Sequence, residues 1–225
     1  MRLKKGVTLI ELLVAMGILA LLVTILYSVF SVSLRAWKKA DNIFKATTIA
    51  RVVLDRISRE ISSALIKDNN FYCLGFDSTA PSGWRTNSIG DEFYFIAPTN
   101  PGKETSDLAE LGYWLDGEGT AAANDDVLRR FYVLDDRNDV SSSDFDFNFS
   151  TGSANASDPF SENITDLQFT FFDTSNNPAN SWDSHTDGVP SKIEILITVR
   201  IGQGTQATNP EFYQNSYTTT ISFLK

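Results

Sequence analysis

Cysteine is nearly absent: Cys73 is the only one in 225 residues. That excludes an internal disulfide and any zinc site built from several thiolates. Histidine is equally scarce, with His185 alone in a stretch rich in serine and aspartate. No nucleophile-elbow pattern accompanies it, and no glycine-rich, phosphate-cradling loop precedes a helix, so no reaction's full set of parts can be assembled. The chain reads as no enzyme and as needing no cofactor. Basic side chains are in short supply, 19 against 28 acidic ones for a net charge of −9, which disfavours a nucleic-acid partner. Proline is missing upstream of Pro81, so nothing there need break a helix. Charge itself is missing from Leu12 to Leu34, a run of 23 residues.

That run is long enough to cross a bilayer core as a helix, and longer than the roughly 7–15 apolar residues of a secretory signal. Arg2, Lys4 and Lys5 precede it, and Arg35, Lys38 and Lys39 follow it. Membrane headgroups suit both clusters, while their near balance leaves the orientation open. Beyond the run, Ile43, Ala50, Leu54, Ile57, Ile61 and Leu65 recur at threes, fours and sevens, the apolar stripe of an amphipathic helix. Arg51/Asp55, Asp55/Arg59 and Arg56/Glu60 are opposite charges four apart and support an exposed side. One helix is expected from about Val7 to about Ile66, about 90 Å long at about 1.5 Å per residue.

Past Asn69 the period changes to two. Lys192–Ile201 places Ile193, Ile195, Ile197, Val199 and Ile201 on one face and Lys192, Glu194 and Arg200 on the other. Leu167, Phe169 and Phe171 alternate with Gln168, Thr170 and Phe172 as a second strand. Further strands are expected at Phe71–Phe76, Asp91–Ala97, Leu111–Leu115, Val127–Leu134, Asp144–Phe149 and Tyr217–Leu224, with loops at Ser150–Asn163, Asp173–Gly188 and Gly202–Ser216. Many strands and one long helix give an α+β class, an antiparallel sheet on the helix's amphipathic half.

Two loop features invite a binding reading. Asp183, Asp187, Gly188 and Glu194 match positions of a calcium loop, with His185 where an oxygen ligand is expected. Pro190 interrupts that loop, no helix flanks it, and Glu194 already belongs to a strand, so no metal is assigned. Trp84 and Trp182 lie in polar loops, either as exposed contacts or as lids over core edges.

The opening KKGVTLIELL combines a basic start, Gly6, a long apolar helix and a lone acid, Glu11. It resembles the class III signal of type IV pilins and pseudopilins. The resemblance implies cleavage between Gly6 and Val7 by a prepilin peptidase. Residues 1–6 would be the leader, 7–36 the transmembrane and later fibre-core helix, and 37–225 a periplasmic pilin-like head. It also implies methylation of the new amine on Val7, and a role for Glu11 in assembly. An amine and a carboxylate in an apolar bundle are each costly unless paired, and one turn separates Val7 from Glu11. RVVLDRISREISSA (51–64), FTFFD followed by Trp182 and VPSKIEI, and YWLD followed by VLRRF resemble the J-type minor pseudopilin of type II secretion. That family implies a structural subunit of a pseudopilus tip, anchored once in the bacterial inner membrane. Its partners would be I-, K- and H-type minor pseudopilins and the major pseudopilin. A minor pilin of type IV pilus assembly and a tip adhesin are the alternative readings.

Overall fold

The structure, a computed structural model, describes residues 8–64, 66–67, 70–71, 73–76, 91–98, 108–116, 127–135, 157–202 and 212–223. Helix α1 (Leu9–Ser62) runs unbroken for 54 residues, about 80 Å at about 1.5 Å per residue. It ends slightly before the expected Ile66 because Ser63 caps it and Ile66 already belongs to a strand pair. The Ser63 N–H reaches the carbonyls of Arg59 and Glu60, and its hydroxyl donates to Glu60 at 2.7 Å.

The strand pair is β1 (Ile66–Lys67) with β2 (Asn70–Phe71). Ten further strands form two antiparallel sheets. One has the order β10-β3-β4-β5-β6-β7, built from β3 (Cys73–Phe76), β4 (Glu92–Pro98), β5 (Leu108–Asp116), β6 (Val127–Asp135), β7 (Ser157–Glu162) and β10 (Trp182–Asp183). The other has the order β12-β11-β8-β9, from β8 (Ile164–Phe172), β9 (Pro178–Ala179), β11 (Lys192–Ile201) and β12 (Tyr213–Ser222). A short helix, α2 (Ser184–Asp187), follows β10.

The α+β class is as expected, and β11 has the bounds read from the sequence. Three loop assignments are corrected. The expected loop Ser150–Asn163 contains β7, whose strand character comes from pairing with β6 across a register shift at Leu128/Arg129. The expected loop Asp173–Gly188 holds β9, β10 and α2. The last strand begins at Tyr213, not Tyr217, because β11 continues to Ile201 and pairs with it throughout. The strand expected at Asp144–Phe149 lies outside the described residues, as does Trp84.

Only the second half of α1 meets the head. Ala46, Ala50, Val53, Leu54, Ile57 and Ile61 are buried. Ile43 is 38% exposed instead of buried, since it lies a turn before the first buried residue, Ala46. The buried stripe shares one core with the inward residues of both sheets, among them Ile193, Ile195, Ile197 and Val199. An aromatic seam joins the sheets: the Phe93 ring lies 5.2 Å from Phe169 and 5.3 Å from Phe171, centroid to centroid. Asp91 reinforces it, its N–H donating to the Leu167 carbonyl at 2.9 Å and its carboxylate accepting from the Phe169 N–H at 2.8 Å.

Glu60 locks the helix end to the larger sheet. The sequence places it on the exposed side, yet its side chain is only 14% exposed. Its carboxylate accepts from Tyr113 Oη at 2.5 Å and Arg130 Nε at 3.0 Å, and from Arg56 on its own helix. Burial pushes the Glu60 carboxyl up, but the hydrogen bonds from Arg130, Tyr113 and Arg56 and the Arg130 charge outweigh it and hold it below its ordinary range. Burial and the Glu60 charge drive the Tyr113 phenol far above its usual value. The arrangement is therefore an ionised carboxylate paired directly with a guanidinium, with a neutral phenol donating to the same carboxylate oxygen.

Two predictions follow from this packing. A Cβ at Gly112 would collide with Tyr94 Cδ1, in a fully buried ring. Gly112→Ala should cost the head about 1–3 kcal/mol by overpacking, whereas Gly17→Ala, where a Cβ meets nothing within 4 Å, should leave its urea midpoint unchanged. For Glu60, a depressed folded pKa means stability that is complete above the unfolded value of about 4.3 and is lost as pH falls through the folded value. Glu60→Gln should destabilise the head at pH 7 by about 1–3 kcal/mol. The gap to wild type should narrow in urea titrations repeated towards pH 3; a gap independent of pH would contradict the ionised network.

Candidate functional site

No described region assembles a catalytic set, so the features that could carry function are the bare half of α1 and its N-terminus. From Leu9 to Leu34 every large apolar side chain is exposed, Leu34 at 43% being the least so. The window of highest hydropathy averages 2.7 and none of it is buried against the head. This is the one helix among the described residues long and apolar enough to cross a membrane. Thr24 and Ser33 return their hydroxyls to carbonyls four residues back, and Ser28 and Ser31 to carbonyls three back. Those hydroxyls therefore present no unpaired donor to lipid.

The apolar surface does not stop where the charge-free run ends. Trp37, Phe44 and Val52 are 69%, 71% and 60% exposed. They sit seven and eight residues apart, on one face of α1 opposite the buried stripe. Between them the helix is solvated by Asp41 and Lys45, an ion pair at 2.7 Å. Opposite the stripe covered by its own head, the helix thus exposes three large apolar side chains set among polar ones.

Glu11 also has a local role at the start of α1. Thr8 is the N-cap of α1 and Glu11 the third helical residue. The Thr8 N–H donates to Glu11 Oε2 at 3.2 Å, the Thr8 hydroxyl donates to the same oxygen at 3.2 Å, and the Glu11 N–H donates to Thr8 Oγ1 at 3.3 Å. This is a capping box, which satisfies otherwise orphaned donors at a helix start and sets a carboxylate against the positive end of the helix dipole. The threonine–x–x–glutamate spacing, TLIE, is its signal in the sequence. Gly6 and Val7 lie outside the described residues.

The calcium-loop positions do not converge. Asp187 Oδ2 accepts the Asp183 N–H at 2.9 Å, closing the turn into α2. Glu194 lies on β11, paired with Thr170 on one side and Thr220 on the other. No cluster of three or more metal-ligating side chains occurs among the described residues. Trp182 is a lid, not an exposed contact: it is buried, its ring lies 6.1 Å from Phe171, and its indole N–H donates to the Gly188 carbonyl at 2.9 Å.

Residues 1–27 match the family described as the prokaryotic N-terminal methylation motif. A solved structure, a type IV-like pilin from Thermus thermophilus, aligns with a TM-score of 0.42 and 10% identity, over 81% of this chain and 95% of that one. No curated protein matches the sequence.

The site gives two expected outcomes. In a host with an active prepilin peptidase, mass spectrometry of the extracted protein should find a chain starting at Val7; an intact Met1 start would contradict processing. For Glu11, glutamine preserves a capping box but carries no charge. If capping is the whole role, Glu11→Gln should match wild type in assembly while Glu11→Ala falls behind. If pairing with an amine at Val7 also matters, Glu11→Gln should assemble less well than wild type and Glu11→Ala less well still.

Proposed function

We propose that this chain is a pilin-like assembly subunit, and specifically a J-type minor pseudopilin at the tip of a type II secretion pseudopilus. It is made as a precursor, cut between Gly6 and Val7, and held in the bacterial inner membrane by α1 with its head in the periplasm. It then joins I-, K- and H-type minor pseudopilins and the major pseudopilin, catalysing no reaction itself.

The observation that carries this reading is α1's division of labour. Its second half is built into a rigid head, while its first half and the Trp37–Phe44–Val52 face have no apolar cover within the described chain. Bilayer hydrocarbon covers the span. The stripe beyond it is what a neighbouring subunit's helix would cover. The methylation motif over residues 1–27 supports the processing step, and the segments 51–64, 113–131 and 169–195 support the J-type assignment by their resemblance.

Full-length protein co-expressed with I- and K-type pseudopilins and a prepilin peptidase should co-purify with both after membrane extraction. Phe44→Glu should reduce recovery of the partners at least tenfold, because an unpaired charge would enter an apolar contact, while the head keeps its urea midpoint. Full partner recovery by Phe44→Glu would contradict the helix-face reading. Co-purification with surface-pilus subunits in place of pseudopilins would assign the chain to pilus assembly.

A further inference from the structure

Strand β12 ends its sheet, and among the described residues nothing pairs with its outer edge. It matches β11 residue for residue, from Tyr213 opposite Ile201 to Ser222 opposite Lys192, with no register shift. Edge strands are ordinarily shielded from further pairing by charge, proline, a bulge or short length. Tyr213–Ser222 has ten residues, no charge, no proline and no glycine. Among the described residues, the backbone donors and acceptors on this edge meet no further strand.

A groove of about 440 Å³ runs beside that edge, between α1 and β12. Its helical wall is Thr47, Ala50, Arg51, Leu54, Asp55 and Ser58, at threes and fours along one flank of α1; Tyr217, Thr218 and Thr219 form the other wall. Thr47 Oγ1 and Tyr217 Oη, 3.2 Å apart, tie the two walls together. The Ser58 hydroxyl is buried and has no hydrogen-bond partner among the described residues. Two charges line the groove. Asp55 is held by Arg59, whereas Arg51 has no ion-pair partner among the described residues, although the sequence spacing pairs it with Asp55.

We infer that the open edge of β12 and the adjoining flank of α1 receive an extended segment of a partner polypeptide, added to the sheet as a fifth strand with a carboxylate facing Arg51. Main-chain hydrogen bonds to β12 supply affinity, and the helix flank reads the side chains on one face of the added strand. A second copy's β12 does not meet the requirement, because Tyr213–Ser222 contains no carboxylate. The inference is independent of which assembly system the chain serves.

The test uses full-length protein in lipid nanodiscs and two synthetic ten-residue peptides with blocked ends. In both, threonine alternates with valine; one has glutamate at the central valine position and its twin has glutamine. Hydrogen exchange should show new protection of amides within 213–222 on peptide addition. The glutamate peptide should bind about threefold more tightly, as expected for a partly exposed ion pair. Arg51→Gln should erase that difference. Thr218→Lys, on an exposed position of β12, should abolish protection by either peptide without altering exchange on β11. Absence of protection on β12, equal binding of the two peptides to wild type, or an undiminished preference in Arg51→Gln would each overturn the inference.

Discussion

Everything in this chain depends on one helix that serves two surroundings. With no proline upstream of Pro81 and no charge from Leu12 to Leu34, α1 continues without interruption for 54 residues. Its backbone groups are satisfied internally, so its first half can sit in hydrocarbon. Its second half has a stripe of small and branched residues, Ala46 to Ile61, that must be covered by protein. The two halves share one rigid axis, so whatever grips the head also positions the apolar stem.

The head is built to hold that axis. Ala46 and Ala50 let the sheet approach closely, and Ile57 and Ile61 are wholly buried. Loss of either isoleucine side chain would cost about 2–5 kcal/mol by ordinary cavity arithmetic. At the far end, Glu60 links the last turn to β5 through Tyr113 and to β6 through Arg130. A half-buried carboxylate is tolerated there because three donors converge on it. The same economy governs the other end of α1, where Thr8 and Glu11 satisfy each other. Glu11 and Glu60 are thus terminal fasteners of one helix.

What the sequence made legible were features with a period. Alternation over Lys192–Ile201 predicts β11 correctly because both its neighbours are strands and one of its faces is buried from Ile193 to Val199. The helix was legible for the same reason. What was not legible depends on partners distant along the chain. β7 is polar and contains Pro159, and is a strand because β6 offers it an edge and Phe160 reaches Tyr113 at 5.9 Å. Trp182 sits in a polar stretch and is buried because Phe171 lies beneath it. Glu60 falls on the solvent side of a helical wheel and becomes half of an inter-element ion pair because Arg130 arrives from 70 residues away. Of the functional features, the capping box was present in the sequence as TLIE, while the uncovered face at Trp37, Phe44 and Val52 required knowing which face the head occupies.

The central claim is that the exposed Trp37, Phe44 and Val52 are covered by other subunits and not left in water. It is tested most directly by maleimide labelling of a cysteine placed at Phe44 in a Cys73→Ser background, which leaves no other thiol. Labelling would be compared in cells with and without the assembly ATPase. The account predicts that Phe44→Cys reacts freely when assembly is blocked and becomes several-fold slower when assembly proceeds, while a cysteine at Thr174, an exposed turn residue of the head, reacts equally in both. Equal labelling of Phe44→Cys in the two strains would contradict it.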